Sequence, residues 1–498
     1  MSSTPADSDL PIIAILGDVN HGKSSVVATL SEDDSVGIGP FPTTIQCHRF
    51  RVRDLLVFID TPGFQNAREA LRELQPAGQH SEPLAVFREF VQRHRDDRYF
   101  VNECRLLEPV IDGAVILYVV DTSQAMEPRH EAEMEILRLT GATRVALLNH
   151  TGEPIHRGAW EARLRQHFST VIEFDAHQAD FANRIDVLDA LAKIDVRHKG
   201  QLLDAIKALS RDRDQKLDNT ARIMADLIAD ALTRRVTARL RDASRAGVEE
   251  LRTELEQRFR EEITRREREA HRDIVRTFEH RLVSVGEGSE RDLLIDDLFV
   301  ENTWSVLGLR GWRLFATAAG AGALAGGKFD AIVGGASWGL GALIGAGIGG
   351  GIAFAGSKSA PRLDVKLPFM QQAIAGAELM AGPVRHENFP WILLERAVGV
   401  FTSVSRRAHA RRDRETLKAE ELAARLKSHG ASVEDLPAET RRSWTKVFAA
   451  IRKNRLGVVE RDEFVRSLRN WLTRISIGRE DEAKVQSLVP ATVPPTQG

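Results

Sequence analysis

Gly17-Asp18-Val19-Asn20-His21-Gly22-Lys23-Ser24 stands between an apolar run, Pro11 to Leu16, and a segment of helical character, Ser25 to Leu30. The octet fits the phosphate-binding pattern G-x-x-x-x-G-K-[ST]. Small residues at its ends let successive backbone N–H groups turn inward around phosphate oxygens, at the positive end of the following helix. In that arrangement Lys23 reaches the β and γ phosphates, and the Ser24 hydroxyl ligates the Mg²⁺ that bridges them. Gly17, Asn20, His21, Gly22 and Ser25 complete the expected phosphate-binding set.

Outward from this loop, Pro11 to about Lys199 alternates short β-rich runs with helical patterns, as a mostly parallel sheet flanked by helices does. Ile12 to Leu16 is the first expected strand. His48 to Arg53 and Leu55 to Ile59 form a pair joined around Arg53-Asp54. Val115 to Asp121 and Val145 to Asn149 are apolar over strand length, as strands buried on both faces are. Val171 to Phe174 is a weaker sixth. The expected fold class is an α/β P-loop NTPase domain followed by a mainly α-helical region with a Gly/Ala-rich hairpin.

The third expected strand runs into Asp60-Thr61-Pro62-Gly63. A carboxylate at that strand end, beside the phosphate loop, can hold Mg²⁺, usually through water, and the Gly63 amide can bond the γ phosphate. Between the two motifs, Gly39-Pro40-Phe41-Pro42-Thr43-Thr44 is a turn-rich loop whose threonines can complete the Mg²⁺ shell.

Asn20 within the loop, Pro42 to Thr44, and Asp60 to Gly63 together resemble the Era and MnmE branch of translation-factor-related GTPases over roughly residues 11 to 199. The resemblance implies GTP as substrate, Mg²⁺ held by Ser24, Thr44 and Asp60, and Thr44 as the switch residue that senses the metal. It also implies that Asn20 can hold K⁺ in place of an arginine finger. Catalysis would then draw on Lys23, Asn20, Thr44 and Gly63. Over the whole chain, the sequence is similar to bacterial proteins joining an Era-like GTPase to a C-terminal domain of unknown function, and for that half the resemblance names no activity.

Two departures bear on chemistry. Phe64 follows the Asp-Thr-Pro-Gly motif where Ras-like proteins carry a water-orienting glutamine, and Gln65 comes one position late. Slow intrinsic turnover is therefore expected unless K⁺, dimerisation or a partner supplies charge. The base-reading motif, Asn-Lys-x-Asp in that family, reads Asn149-His150-Thr151-Gly152, with Glu153 one residue further on, and Phe174-Asp175-Ala176-His177 is equally loose at the next guanine loop. Asn149 is retained but the carboxylate is not, so guanine and adenine both stand as candidate bases, and GTP and ATP as candidate nucleotides.

An insertion from Phe64 to Ile111 carries helical spacing at Leu84, Phe87, Phe90 and Val91. It is either a packing face or a helix that relays nucleotide state from the second switch. From Gly200 to about Val285, apolar residues including Met224, Val236, Leu240 and Phe259 recur by threes and fours, which predicts long helices as a hairpin or an intermolecular coiled coil. Leu314 to Gly356 is Gly/Ala-rich, and Ala331 to Gly356 has no charged residue. Partial insertion into a membrane, as in dynamin-like GTPases, and a tightly packed soluble pair are competing readings of that hairpin. Amphipathic helices are expected over Phe369 to Met380, Trp391 to Val404, Leu417 to Leu426 and Trp444 to Ile451. The arginine run Arg406, Arg407, Arg411, Arg412 and Arg414 is expected as a solvated face, with anionic headgroups or RNA as the sharper alternative.

The expected units are residues 11–199, 200–300, 301–366 and 367–488, with a disordered tail over 489–498. In 498 residues, Lys plus Arg total 69 against 71 Asp plus Glu, for a net charge of -2. Nothing global therefore calls for nucleic acid or an anionic surface. Two cysteines, Cys47 and Cys104, exclude a disulfide framework and a Cys-rich metal site. The first ten residues carry no secretory pattern. The expected location is the cytoplasm, with attachment at the inner face of the membrane if 314–356 binds lipid, and homodimers through the nucleotide domain or the 200–285 helices are a further expectation.

Overall fold

The computed structural model describes residues 10–33, 36, 47–52, 54–76, 82–242, 244–278, 365–366, 378–408, 410 and 431–477. Thr44 with its loop, the 314–356 hairpin, the Leu417 to Leu426 segment and the 489–498 tail lie outside the described residues.

Six strands form one sheet: β1 (Ile12–Leu16), β2 (His48–Val52), β3 (Leu56–Asp60), β4 (Val115–Asp121), β5 (Arg144–Asn149) and β6 (Val171–Glu173), in the order β2-β3-β1-β4-β5-β6. All neighbours pair in parallel except β2, which runs antiparallel to β3. The period of two along each strand divides the side chains between two cores. Ala14, Leu16, Tyr118, Val120 and Leu148 enter one; Ile13, Ile15, Leu117, Val119 and Leu147 enter the other.

Helices α2 (Ala67–Leu74), α3 (Pro83–His94), α4 (Val101–Ile111), α5 (Pro128–Leu139) and α6 (Arg157–His167) contribute to the first core. Helices α1 (Lys23–Ser31) and α7 (Phe181–Ile194) contribute to the second. The insertion is thus α2 to α4, with Phe87, Phe90 and Val91 buried as a packing face. Local chemistry sets several of these starts. Pro83 and Pro128 occupy first-turn positions, where a missing N–H costs nothing. The Asp180 carboxylate caps α7 by accepting from Ala182 N and Asn183 N.

Helix α8 (Lys199–Thr233) spans 35 residues, about 52 Å at helical rise. Its first turns, through Leu202, Ala205, Ile206 and Leu209, belong to the second core of the α/β domain. From Leu217 onward it belongs to a separate helical core. That core is shared with α9 (Arg245–Thr277), α10 (Phe389–Ser405), α11 (Ala438–Arg452) and α12 (Val458–Ile477). Helix α10 is buried almost all round, as a central helix must be. Trp391 on α10 stacks on Trp444 of α11 at 5.9 Å.

Several expectations are corrected here. Val236 and Leu240 are not part of a helix: Val236–Arg239 is strand β7, which pairs with β9 (Glu378–Ala381), itself paired with β8 (Val365–Lys366). The end of the helix expected over Phe369 to Met380 is therefore strand, and its earlier part lies outside the described residues. Alternation within four residues is too short to distinguish from a helical face when the pairing partner is about 140 residues away. Of the two arrangements expected for this stretch, α8 and α9 pack against each other as in the hairpin, and their apolar faces join the core shared with α10. Arg406 and Arg407 sit at a packed junction rather than on a solvated face: Arg406 donates to the Ile475 carbonyl, and Arg407 is buried. No helix among the described residues is long and apolar enough to cross a membrane.

Candidate functional site

The 17–24 loop joins β1 to α1 at the carboxyl edge of the sheet, where the chain turns to β3 on one side and β4 on the other, the position at which open α/β sheets bind ligands. Its conformation depends on glycine at two points. Gly17 has φ 143°, and a Cβ there would lie 2.3 Å from the Val119 carbonyl oxygen; Gly22 has φ 82°, and a Cβ would lie 2.3 Å from Asn149 Nδ2. Asn20, exposed, takes the left-handed region at φ 65°.

Lys23 is buried, and its ammonium donates to the Asp18 carbonyl at 2.8 Å and the Gly17 carbonyl at 3.2 Å. Burial lowers its pKa, while Asp60, Glu133 and Asp18 pull the other way. Ser24 Oγ donates to Asp60 Oδ2 at 2.7 Å, so the two motifs, thirty-six residues apart, meet directly. Gly63 lies hard against the loop: a Cβ there would be 2.6 Å from Val19 N. Asp18 and Phe64 form an isolated parallel bridge, and the Phe64 ring is buried in the first core. Ser25 is buried within the first turn of α1.

Asn149 cross-links three loops. Its Nδ2 donates to the His21 carbonyl at 3.0 Å, and its Oδ1 accepts from Ala176 N at 3.0 Å. The neighbouring loop is held by Asp121, at the end of β4, which accepts from Ser123, Gln124 and Thr151. Burial would raise the Asp121 carboxyl, but these bonds outweigh it and bring the pKa down to about 2. His150 turns to Thr122 Oγ1 at 2.7 Å, and the Glu153 side chain is exposed.

Behind the loop lies a buried polar cluster. The His21 imidazole is turned inward, 5.2 Å from His130 and 5.9 Å from Trp160 between ring centroids, and neither ring nitrogen has a hydrogen-bond partner. Burial lowers its pKa to about 4, so the ring is neutral near pH 7. His21 therefore offers a ligand above the loop its backbone rather than its ring. Asp18, His21 and His130 present candidate ligand atoms within 4.8 Å of one another. The proton arrangement disfavours a metal there. His130 Nδ1 accepts the Glu127 N–H at 2.9 Å, so Nε2 carries the proton and donates it to Asp18 Oδ2 at 2.9 Å. Beyond it, Tyr118 donates to Glu133, whose buried carboxyl is held well above the usual range by burial and by Asp18.

His130, Glu133, Tyr118 and Asp121 are site residues outside the set expected from the sequence. No distinct sequence signal marks the first two, because α5 intersperses His130 and Glu133 with Arg129, Glu131, Glu135 and Arg138. A further anchor is Glu103 on α4, whose Oε1 accepts from Gln65 N at 2.8 Å and Asn66 N at 2.7 Å, just beyond Gly63.

A glycine-shaped cradle, a buried lysine at its base and a serine–aspartate pair of hard oxygen donors define a P-loop nucleotide site, and the donor set fits Mg²⁺. The comparisons agree. Residues 12–150 match the family model described as 50S ribosome-binding GTPase, so the α/β unit is a P-loop GTPase domain. Residues 161–470, more than half of the chain, match the model of a domain of unknown function, DUF3482, and the chain belongs to that family. That match begins within α6 and so takes in β6 and α7 of the sheet along with the helical region. No curated protein matches the chain.

Proposed function

We propose that this chain is a GTP-dependent switch that hydrolyses GTP slowly with Mg²⁺ and passes its nucleotide state to the helical region. The reading rests above all on the 2.7 Å Ser24–Asp60 contact beside the buried Lys23 ammonium. Ser24 and Asp60, joined by Thr44, would hold Mg²⁺, which when bound supplies neutralisation of phosphate charge. Lys23 exchanges the Gly17 and Asp18 carbonyls for β and γ phosphate oxygens. Gly63, with no side chain to keep it from Val19, offers its amide to the γ phosphate. Slow turnover is argued from Phe64, whose ring is committed to the core and cannot orient water. Asn20 is the residue at which K⁺ would add the missing charge, as the likeness to Era and MnmE suggests. Guanine is preferred over adenine on the strength of the family match, with Asn149 ordering the base-side loops in the absence of a carboxylate at Gly152.

Two routes lead away from the site. Glu103 ties the segment after Gly63 to α4, and α8 carries the core of the 11–199 domain continuously into the helical core. The test is turnover by purified full-length protein, with GTP and ATP side by side, in potassium and in sodium. The account expects GTP hydrolysis that is faster in potassium and abolished by Lys23→Ala. Binding of nucleotide with no Lys23-dependent hydrolysis would favour instead a scaffold that uses nucleotide for assembly.

A further inference from the structure

A hydroxyl inside a helix commonly bonds back to the carbonyl four residues earlier, as Ser31, Thr220 and Thr402 do here. Thr29, in the last turn of α1, is arranged otherwise. Its Oγ1 donates to the Ala176 carbonyl at 2.7 Å, in the loop between β6 and α7, and so has no proton left for its own helix. The same oxygen accepts the Ala410 N–H at 3.3 Å, from the chain that follows α10. All three residues are buried. A side chain of the phosphate-loop helix thus stands between two segments, 147 and 381 residues away, and carries one bond to each.

The segment that reaches Ala410 enters both halves of the molecule. Val404, in the last turn of α10, lies in the helical core, and Ala410 lies in the second core of the GTPase domain, with Ala28 and Ala176. Between them, Arg406 donates to the Ile475 carbonyl of α12 at 3.1 Å. From Ala176 the bonds continue toward the nucleotide site. The Ala176 N–H goes to Asn149 Oδ1 at 3.0 Å, and Asn149 Nδ2 donates to the His21 carbonyl of the phosphate loop at 3.0 Å. An unbroken series therefore runs from Ala410 through Thr29, Ala176 and Asn149 to His21. Its members are buried, so breaking one bond leaves a polar group with no water to replace the partner.

We propose that Thr29 is a positioning residue through which docking of the helical region sets the order of the base-side loop, and with it the affinity for nucleotide. The proposal rests on the reading of the chain as a GTP-binding switch. On that reading Asn149 and the Ala176 loop serve the base, whereas Lys23, Ser24 and Asp60 address phosphates and metal, so Thr29 acts on the base end. The coupling is reciprocal: the factor by which the Ala410–Thr29 bond favours GTP is the factor by which GTP favours that bond. Glu32, the C-cap of α1, separately holds Lys216 of α8 at 3.2 Å, so loss of the Thr29 hydroxyl leaves the two halves joined.

The test is calorimetric titration of GTP and of tripolyphosphate, each with Mg²⁺, in the full-length parent, Thr29→Val and Thr29→Ser, together with hydrogen exchange at the Ala410 amide of the parent with and without GTP. Thr29→Val keeps the branched shape and loses both bonds, whereas Thr29→Ser keeps the hydroxyl. The expected result is GTP binding about three- to tenfold weaker in Thr29→Val and restored in Thr29→Ser, with tripolyphosphate binding equal in all three chains. In the parent, exchange at Ala410 should slow when GTP is added. Equal losses for GTP and tripolyphosphate in Thr29→Val would reduce the hydroxyl to a prop for α1 and overturn the proposal, as would Ala410 exchange indifferent to GTP. The exchange measurement needs no variant, so it decides the matter even if Thr29→Val fails to fold. A parent that binds no GTP defeats the switch reading itself, whereas GTP binding of equal strength in the parent and Thr29→Val defeats this proposal alone.

Discussion

The buried carboxylate of Glu103 accepts the backbone N–H of Gln65 at 2.8 Å, and the same oxygen accepts Asn66 N at 2.7 Å. Two amides immediately after Gly63 are thereby fixed to α4, which the 50S ribosome-binding GTPase match includes as part of residues 12–150. The segment that would respond to a γ phosphate starts from an anchored position rather than a free one.

Glu103→Ala removes the acceptor of both amides. Hydrogen bonds to charged groups are worth about 1.5–3 kcal/mol each, and leaving the amides unsatisfied puts the expected loss at about 2–4 kcal/mol in urea unfolding. Hydrogen exchange at Gln65 and Asn66 should accelerate while β1 and β4 amides stay protected. Unchanged exchange at these two residues would mean that Glu103 is not their anchor.

In the helical core, Arg396 on α10 holds Glu267 on α9 through two bonds, at 2.6 and 3.1 Å, with both side chains buried. Arg396→Met leaves Glu267 buried with only the His271 ring, 3.9 Å away, beside it, and is expected to cost about 3–5 kcal/mol. The double variant Arg396→Met with Glu267→Leu should recover most of that loss, because neither desolvated charge remains. Chemical denaturation of the four chains of this cycle measures both effects.

Much of the nucleotide domain is legible in the sequence because its signals are local. Apolar runs give β1 and β4 with their observed bounds, and glycine spacing gives the loop whose φ angles require it. Legibility fails where an interaction joins distant segments. Nothing near Val236 announces pairing with Leu379 and Ala381, and nothing near Arg406 announces a docking place at Ile475. The inward turn of Asp18 and His21 is a further case, because their loop pattern fixes only the glycines, the lysine and the serine. Helix α12 is not among the helices expected from sequence: its buried Phe464, Leu468, Trp471 and Leu472 are interleaved with Arg461, Arg466, Arg469 and Arg474, which blur the apolar period.

Stability should depend on pH through two buried groups of the helical core. Burial pushes the Glu395 carboxyl up to about 7, despite bonds from Val433 N at 2.7 Å and Ser432 Oγ at 2.8 Å. A folded pKa above the unfolded value of 4.5 means that the native state binds the extra proton. Its contribution is therefore full below pH 4.5 and is lost as pH rises through 7, by about 3 kcal/mol. Burial lowers His271 to about 4, so its contribution runs the other way, falling as pH drops from 6.5 to 4. Glu395→Gln should flatten the decline between pH 4.5 and 7 relative to the parent, and His271→Gln should flatten the rise between pH 4 and 6.5. Urea midpoints across pH 4 to 8 measure both, and parallel curves for parent and variants would contradict these assignments.

The most direct test of the switch account is equilibrium binding of a fluorescent GTP analogue with and without Mg²⁺, in the parent chain, Lys23→Ala and Asp60→Asn. The account predicts Mg²⁺-enhanced binding in the parent, a loss of about a hundredfold or more in Lys23→Ala, from removal of a buried charge–phosphate bond, and loss of the Mg²⁺ enhancement in Asp60→Asn. Equal affinity in all three chains, or binding indifferent to Mg²⁺ in the parent, would contradict it.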